Sequence, residues 1–146
     1  MTIVWSSRYE VDIGAHVFPT RKYRLVRDRL LEEGVVEGDE FVEPGTVDDD
    51  TLARVHTREY LRKIAEDDFD WRERRELEVP FSGELAEALG LCCGGTLLAG
   101  RRALEEGVVA HLGGGFHHAF PDHGEGFCLL NDVAVGAAEL VADGTV

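Results

Sequence analysis

Lysine is nearly missing from this 146-residue chain: Lys22 and Lys63 are the only two, and arginine supplies the other basic side chains. Against 15 basic residues stand 29 Asp and Glu, for a formal net charge of -14. A field of that sign repels phosphate backbones and argues against direct nucleic-acid binding. It suits a hydrated surface or a cationic substrate. No apolar run approaches the roughly 20 residues of a membrane span. The start, Met1-Thr2-Ile3-Val4-Trp5, lacks the basic and apolar regions of a secretory signal, so a cytoplasmic protein without membrane partners is expected. Cysteine is sparse and odd in number. Cys92, Cys93 and Cys128 form no C-x-x-C zinc pattern and are expected to be buried, reduced thiols. There is no internal repeat and no low-complexity segment. No G-x-S-x-G turn offers a serine nucleophile.

What is present fits one soluble α/β domain over residues 1–146, with 44% hydrophobic residues. Residues 2–6 read as a first strand. From Thr20, taken as an N-cap, Tyr23, Val26, Leu30 and Leu31 recur at helical spacing up to a stop at Gly34. Residues 40–43 read as a second strand closed by Pro44-Gly45. Asp48-Asp49-Asp50 caps a helical stretch over 51–55, and a second helix follows His56-Thr57 with Tyr60, Leu61 and Ile64 on one face. Residues 67–78 are charge-dense, either a polar surface helix or a loop. Ser82 caps the longest helix, 84–106, whose Gly94, Gly95 and Gly100 each cost about 1 kcal/mol of helix propensity and imply close packing. A strand at 108–112 precedes a glycine–histidine loop and a last helix at 133–142. The order predicts a parallel sheet.

The chemistry concentrates in Gly113-Gly114-Gly115-Phe116-His117-His118, continuing through Gly126-Phe127-Cys128 to Asn131-Asp132. Three glycines permit a sharp turn and close approach to a ligand. Paired histidines suit proton transfer, one as base and its neighbour tuning it or stabilising charge. A mixed metal set from His117, Asp122, His123 and Asp132 is a competing reading, as is a packing role for the pair. A phosphate cradle at the glycines is disfavoured because no G-K-[ST] follows and the local charge is acidic. Cys128 has no assignable base and reads as structural rather than nucleophilic.

This stretch resembles the active-site segment of the zinc-dependent histone deacetylase superfamily, with its acetylpolyamine and acetoin-utilisation relatives. Val55-His56-Thr57-Arg58-Glu59-Tyr60-Leu61 resembles the family's "HT–x–x–Y–L" helix start, and Gly94-Gly95-Thr96 its "GGT" helix. Residues 16–22 look most like the class IV branch and its bacterial cousins. The resemblance implies an arginase/deacetylase-like three-layer α/β fold, a parallel sheet with flanking helices, of which this chain is the N-terminal half. It implies hydrolysis of an acylated amine, an acetyl-lysine or acetylpolyamine amide, by zinc-activated water. His118 would be the general base and His117 would stabilise developing charge. Gly126 and Phe127 would line the substrate channel, Cys128 would lie beneath the metal site, and Lys22 would face an internal channel. The family's Zn2+ ligands, an Asp-x-His pair and a later Asp, are expected beyond Val146, so the chain itself has none. An inactive fragment or interaction module of the same fold is the alternative, with self-association or a complementing C-terminal chain as its partners.

Overall fold

Strand β1 is only Ile3–Val4, yet it holds the middle of the sheet in a computed structural model that describes all residues 1–146. Both residues are essentially inaccessible to solvent. Side chains alternate between faces along a strand, so two consecutive buried residues mean that both faces of the sheet are covered here. Strand β2 (Phe41–Val42) pairs parallel to one side of β1, and β3 (Ala110–His111) pairs parallel to the other, giving the order β2-β1-β3. Hydrogen bonds from Trp5 to Val42 and from Leu112 to Val4 extend the ladder. Strands two and three lie on opposite sides of the first. The connections leaving β1 and β3 therefore diverge at the carboxyl ends of the strands, which creates the crevice where parallel α/β sheets bind ligands.

Helix α1 (Lys22–Glu32) joins β1 to β2. Thr20, read as its cap, instead donates from Oγ1 to the Val11 carbonyl at 2.6 Å, and the helix begins at Arg21 without a side-chain cap. The hydroxyl is drawn inward because Thr20 is buried beside the loop it ties down. The stop at Gly34 stands, with φ of +63°. Tyr23 alone is fully buried; Val26 is exposed, so α1 rides on the surface rather than plugging the core.

Four helices link β2 to β3. Helix α2 (Asp49–Leu52) is shorter than the 51–55 expectation and is capped by Asp48, whose carboxylate accepts from the Thr51 amide. Helix α3 (Arg58–Glu66) is capped by Thr57, and it buries Tyr60 with Leu61 and Ile64 packed against the core. The charge-dense segment contains a true helix, α4 (Trp71–Leu77), because Asp70 and Glu73 close a reciprocal capping box around its first turn. Helix α5 (Gly83–Glu106) starts at Ser82, whose Oγ accepts from Leu85. Helix α6 (Asp132–Ala142) closes the chain against α5.

Gly94, Gly95 and Gly100 of α5 mark close approach, as their cost to the helix implied. A Cβ at Gly94 would stand 1.8 Å from the Gly45 carbonyl oxygen, and one at Gly100 would stand 2.9 Å from Leu140 Cδ1 of α6. Gly90, on the same helix, has nothing within 4 Å. Gly90→Ala is therefore expected to raise stability by up to about 1 kcal/mol through helix propensity. Gly94→Ala should lower it by about 2 kcal/mol or more, since backbone must move to admit the methyl. Urea unfolding of the two variants checks this opposite sign; equal effects would refute the packing assignment.

Candidate active site

The loop leaving β3 carries His117 and His118, and its shape is imposed by one carboxylate. Asp132, the first residue of α6, is fully buried. Its oxygens accept from the Gly115 amide at 3.0 Å, the Phe116 amide at 2.7 Å and the Thr96 hydroxyl. An internal anion thus fills the cradle that a phosphate or metal-bound ligand would occupy. Sequence reasoning placed Asp132 among metal donors. The structure turns it inward instead, because three protein donors converge on it. The glycine run is likewise explained by protein atoms rather than by a ligand. A Cβ at Gly113 would meet the Tyr9 ring at 2.3 Å, and one at Gly114 would meet Asp132 Oδ2 at 2.6 Å. Gly115 has φ of +97°, the turn that only glycine adopts without strain.

The far end of the loop is clamped by helix α3 and by Asn131. His56 is buried; its Nδ1 donates to the Phe120 carbonyl at 3.0 Å, and its Nε2 accepts from the Asn131 amide at 3.1 Å. The Tyr60 hydroxyl donates to the Leu129 carbonyl at 2.8 Å. Asn131 caps α6 through Oδ1 and donates from Nδ2 to the carbonyls of His117 and Ala119. Pairs of residues read as motif letters, His56 with Tyr60 and Asn131 with Asp132, are thus the two holders of one loop.

Within that frame the sequence-selected residues meet at one open cleft of about 620 Å³. Its wall takes Phe18, Lys22 and Tyr23 from the β1 side, and Gly114 to His118 with Gly126, Phe127 and Cys128 from the β3 side. His117 and His118 are exposed, with ring centroids 4.3 Å apart. His117 Nδ1 lies 2.9 Å from the Gly115 carbonyl, an acceptor, so Nδ1 bears the proton and Nε2 is free. A Cβ at Gly126 would approach the His118 ring at 3.3 Å, so glycine there gives the imidazole room at the wall. Phe127 adopts φ of +71°, held by hydrogen bonds from the amides of Gly126 and Phe127 to the carbonyls of Glu76 and Leu77 at the end of α4. Its ring packs edge-on to His16 at 4.9 Å.

Lys22 Nζ sits 3.3 Å from the Phe18 ring centroid, a cation–π contact at the cleft wall. Burial lowers the pKa of its ammonium. Cys128 is buried with Sγ directed at the Gly126 carbonyl, and desolvation raises its thiol pKa, which fits the structural reading over a nucleophile. Cys92 and Cys93 are buried and raised likewise. The proposed metal set of His117, Asp122, His123 and Asp132 does not assemble. His123 is bonded through Nδ1 to Asp122 at 2.8 Å and stacks on Phe120. No three His, Cys, Asp or Glu side chains in the chain converge on a common point.

Sequence reasoning missed the layer beneath. His111, read as one residue of an apolar strand, accepts at Nε2 from the Tyr9 hydroxyl at 2.9 Å and contacts Thr96 Oγ1 through Nδ1 at 3.1 Å. The available signal was a histidine in an otherwise apolar strand; in the structure its ring faces Gly95 and Gly114.

Burial lowers the pKa of His56 below 6.5 and that of His111 to about 4. Both stay neutral when folded and take up protons on unfolding in acid. Their contribution to stability is therefore complete above pH 6.5 and is lost as pH falls toward 4. Unfolding free energy measured by urea at pH 7 and pH 4.5 should drop on the order of 2 kcal/mol through His111. The double variant His56→Gln, His111→Asn should flatten that decline. An equally steep decline in the variant would contradict the assignment.

Comparisons with known proteins bear on the family and the fold. The histone deacetylase domain family matches residues 16–146. An uncharacterised protein of Picosynechococcus is 36% identical over 120 residues, covering 82% of this chain and 40% of that protein. The acetoin utilization protein AcuC of Bacillus subtilis is 30% identical over 131 residues, covering 82% of this chain and 34% of that protein. The crystal structure of a histone deacetylase homolog from Aquifex aeolicus superposes with a TM-score of 0.74 at 23% identity, over 98% of this chain and 41% of that one. The chain thus spans well under half the length of these relatives. No helix is long and apolar enough to cross a membrane.

Proposed function

The chain belongs to the histone deacetylase family, and from that premise we propose that its cleft is the proton-transfer and substrate-gripping part of a deacetylase-type amide hydrolase site. The observation that supports this reading most is the placement of His117 and His118 side by side on the wall of a cleft that Gly126 and Phe127 also line. The substrate is an acylated amine of the acetyl-lysine or acetylpolyamine class. Its aliphatic arm lies along the Phe127 ring and the Gly126 backbone. His118 acts as general base and returns the proton to the leaving amine. His117, its Nδ1–H fixed on the Gly115 carbonyl, turns Nε2 toward the cleft and stabilises developing charge beside His118.

The family resemblance implies zinc, which would polarise the acyl carbonyl. Zinc sites of this kind take three protein donors. The residues present do not fit that requirement, because Asp132 is committed to backbone amides and Asp122 to His123. A zinc at this cleft would need donors other than Asp122 and Asp132. The reduced, buried thiols and the acidic surface support a cytoplasmic setting.

A non-enzymatic docking role is the second reading, favoured by β3, whose backbone pairs only with β1 and leaves its other edge free. A second copy of the chain or a complementing chain would add there. Sedimentation showing only a monomer across concentrations would remove the self-association arm.

With zinc and an acetyl-lysine peptide, the chain alone is expected to show no turnover; zinc-dependent hydrolysis would reveal a donor set that the geometry does not assemble. Grafted as residues 16–146 into the Bacillus subtilis relative, it should support deacetylation that falls about 10²–10⁴-fold in kcat on His118→Ala. A graft whose activity is indifferent to that substitution would refute the base assignment.

A further inference from the structure

We propose that His111 is a positioning residue for the His117–His118 pair, acting through Thr96 and the Asp132 carboxylate. Its meaning for catalysis rests on the proton-transfer reading above; the positioning itself does not.

The hydrogen-bond directions run one way. Asp132 already accepts from the amides of Gly115 and Phe116, and the Thr96 hydroxyl donates to its Oδ2. That hydroxyl has a single proton, so the side turned to His111 is a lone pair, and Nδ1 of His111 must bear the hydrogen. Nε2 is then an acceptor, which matches the Tyr9 hydroxyl 2.9 Å away. The opposite tautomer would present a lone pair to a hydroxyl whose only proton is already committed. Donation therefore passes from Tyr9 to His111, to Thr96, to Asp132, and ends on the two amides just before His117.

The chain around this relay is kept small at three positions. A Cβ at Gly95 would stand 2.3 Å from His111 Nε2, and one at Gly113 would stand 2.3 Å from the Tyr9 ring. A Cβ at Gly114 would lie 2.6 Å from both Asp132 Oδ2 and His111 Nδ1, and 2.7 Å from Thr96 Oγ1. None of these three glycines has a positive φ, so the space around the polar atoms, and not backbone conformation, accounts for them. Burial keeps His111 neutral down to about pH 4, so near neutral pH its ring carries one N–H, placed by its two partners. His111 does not line the cleft. Its influence on the reacting histidines is therefore indirect, through the carboxylate that sets the height and turn of their backbone.

The test uses the 15N-labelled 146-residue chain and reads no turnover, so a failure of the hydrolase reading leaves its outcome intact. Imidazole nitrogen shifts at pH 7 should show His111 with Nδ1 protonated and Nε2 bare; an Nε2–H tautomer or an imidazolium overturns the proposal. Two substitutions then separate positioning from space filling. His111→Asn places an amide donor near the Nδ1 position facing Thr96, and His111→Gln places its amide near the Nε2 position facing Tyr9. The Asn variant should keep the slow exchange of the Gly115 and Phe116 amides and the ring titration curves of His117 and His118. The Gln variant should speed exchange of those two amides about tenfold and displace both curves, while the Trp5 and Leu112 amides of the sheet hold. Equal behaviour of the two variants, or loop amides that do not respond to either, would overturn it. Should either variant fail to fold, Thr96→Val removes the link with little change of volume and must produce the same acceleration; an unchanged loop there refutes the relay.

Discussion

Everything at the site depends on a carboxylate buried where a ligand could have been. Asp132 offers two oxygens to a turn of backbone whose amides would otherwise be orphaned, and it does so from the N-terminus of α6, where a negative charge is favoured. Buried charge is expensive unless its lone pairs are met by donors. Here two amides and a hydroxyl meet them, so the cost becomes a constraint. The backbone at Gly115 and Phe116 has one position in which the carboxylate is satisfied, and His117 and His118 follow from it. Removing both oxygens would leave those donors without an acceptor, a larger loss than the bonds alone.

The constraint explains features that look unrelated in the chain. Gly113 and Gly114 stay small so that the backbone can lie against Tyr9 and the Asp132 cluster, while Gly115 supplies the positive φ. His56, just before α3, and Tyr60 on it, far away in sequence, hold the other end of the same loop by carbonyl and amide contacts. Asn131 ties the carbonyls of His117 and Ala119 to the cap of α6. The parallel sheet contributes the location: the connections after β1 and β3 part at the strand ends, and the cleft opens between them.

Much of this was legible in the residues. The cap at Ser82, the helix that follows His56-Thr57, the stop at Gly34 and the β-rich starts at residues 2–6 and 40–43 are local signals, and local chemistry decides them. The histidine loop was visible as a motif. The purpose of its glycines was not, because Tyr9 and Gly113 are 104 positions apart and only the fold makes them neighbours. Asp132 could enter a competing metal set for the same reason: its oxygens look free in sequence, and the amides that claim them belong to a turn 16 residues earlier. Thr20 was taken for a cap because helix starts favour threonine; the Val11 carbonyl, brought close by the loop after β1, is the stronger partner. His111 passed as a strand residue since nothing in a linear reading places Thr96 on one side of its ring and Tyr9 on the other.

The central claim is that the Asp132 carboxylate, and not a bound ligand, holds the histidine loop. It is tested most directly by the amide spectrum of Asp132→Ala, which removes both acceptor oxygens. The account predicts that the Gly115 and Phe116 amides lose their hydrogen-bonded shifts and that His117 and His118 resonances broaden, while the amides of the sheet are unaffected. A loop spectrum identical to that of the wild-type chain would contradict it.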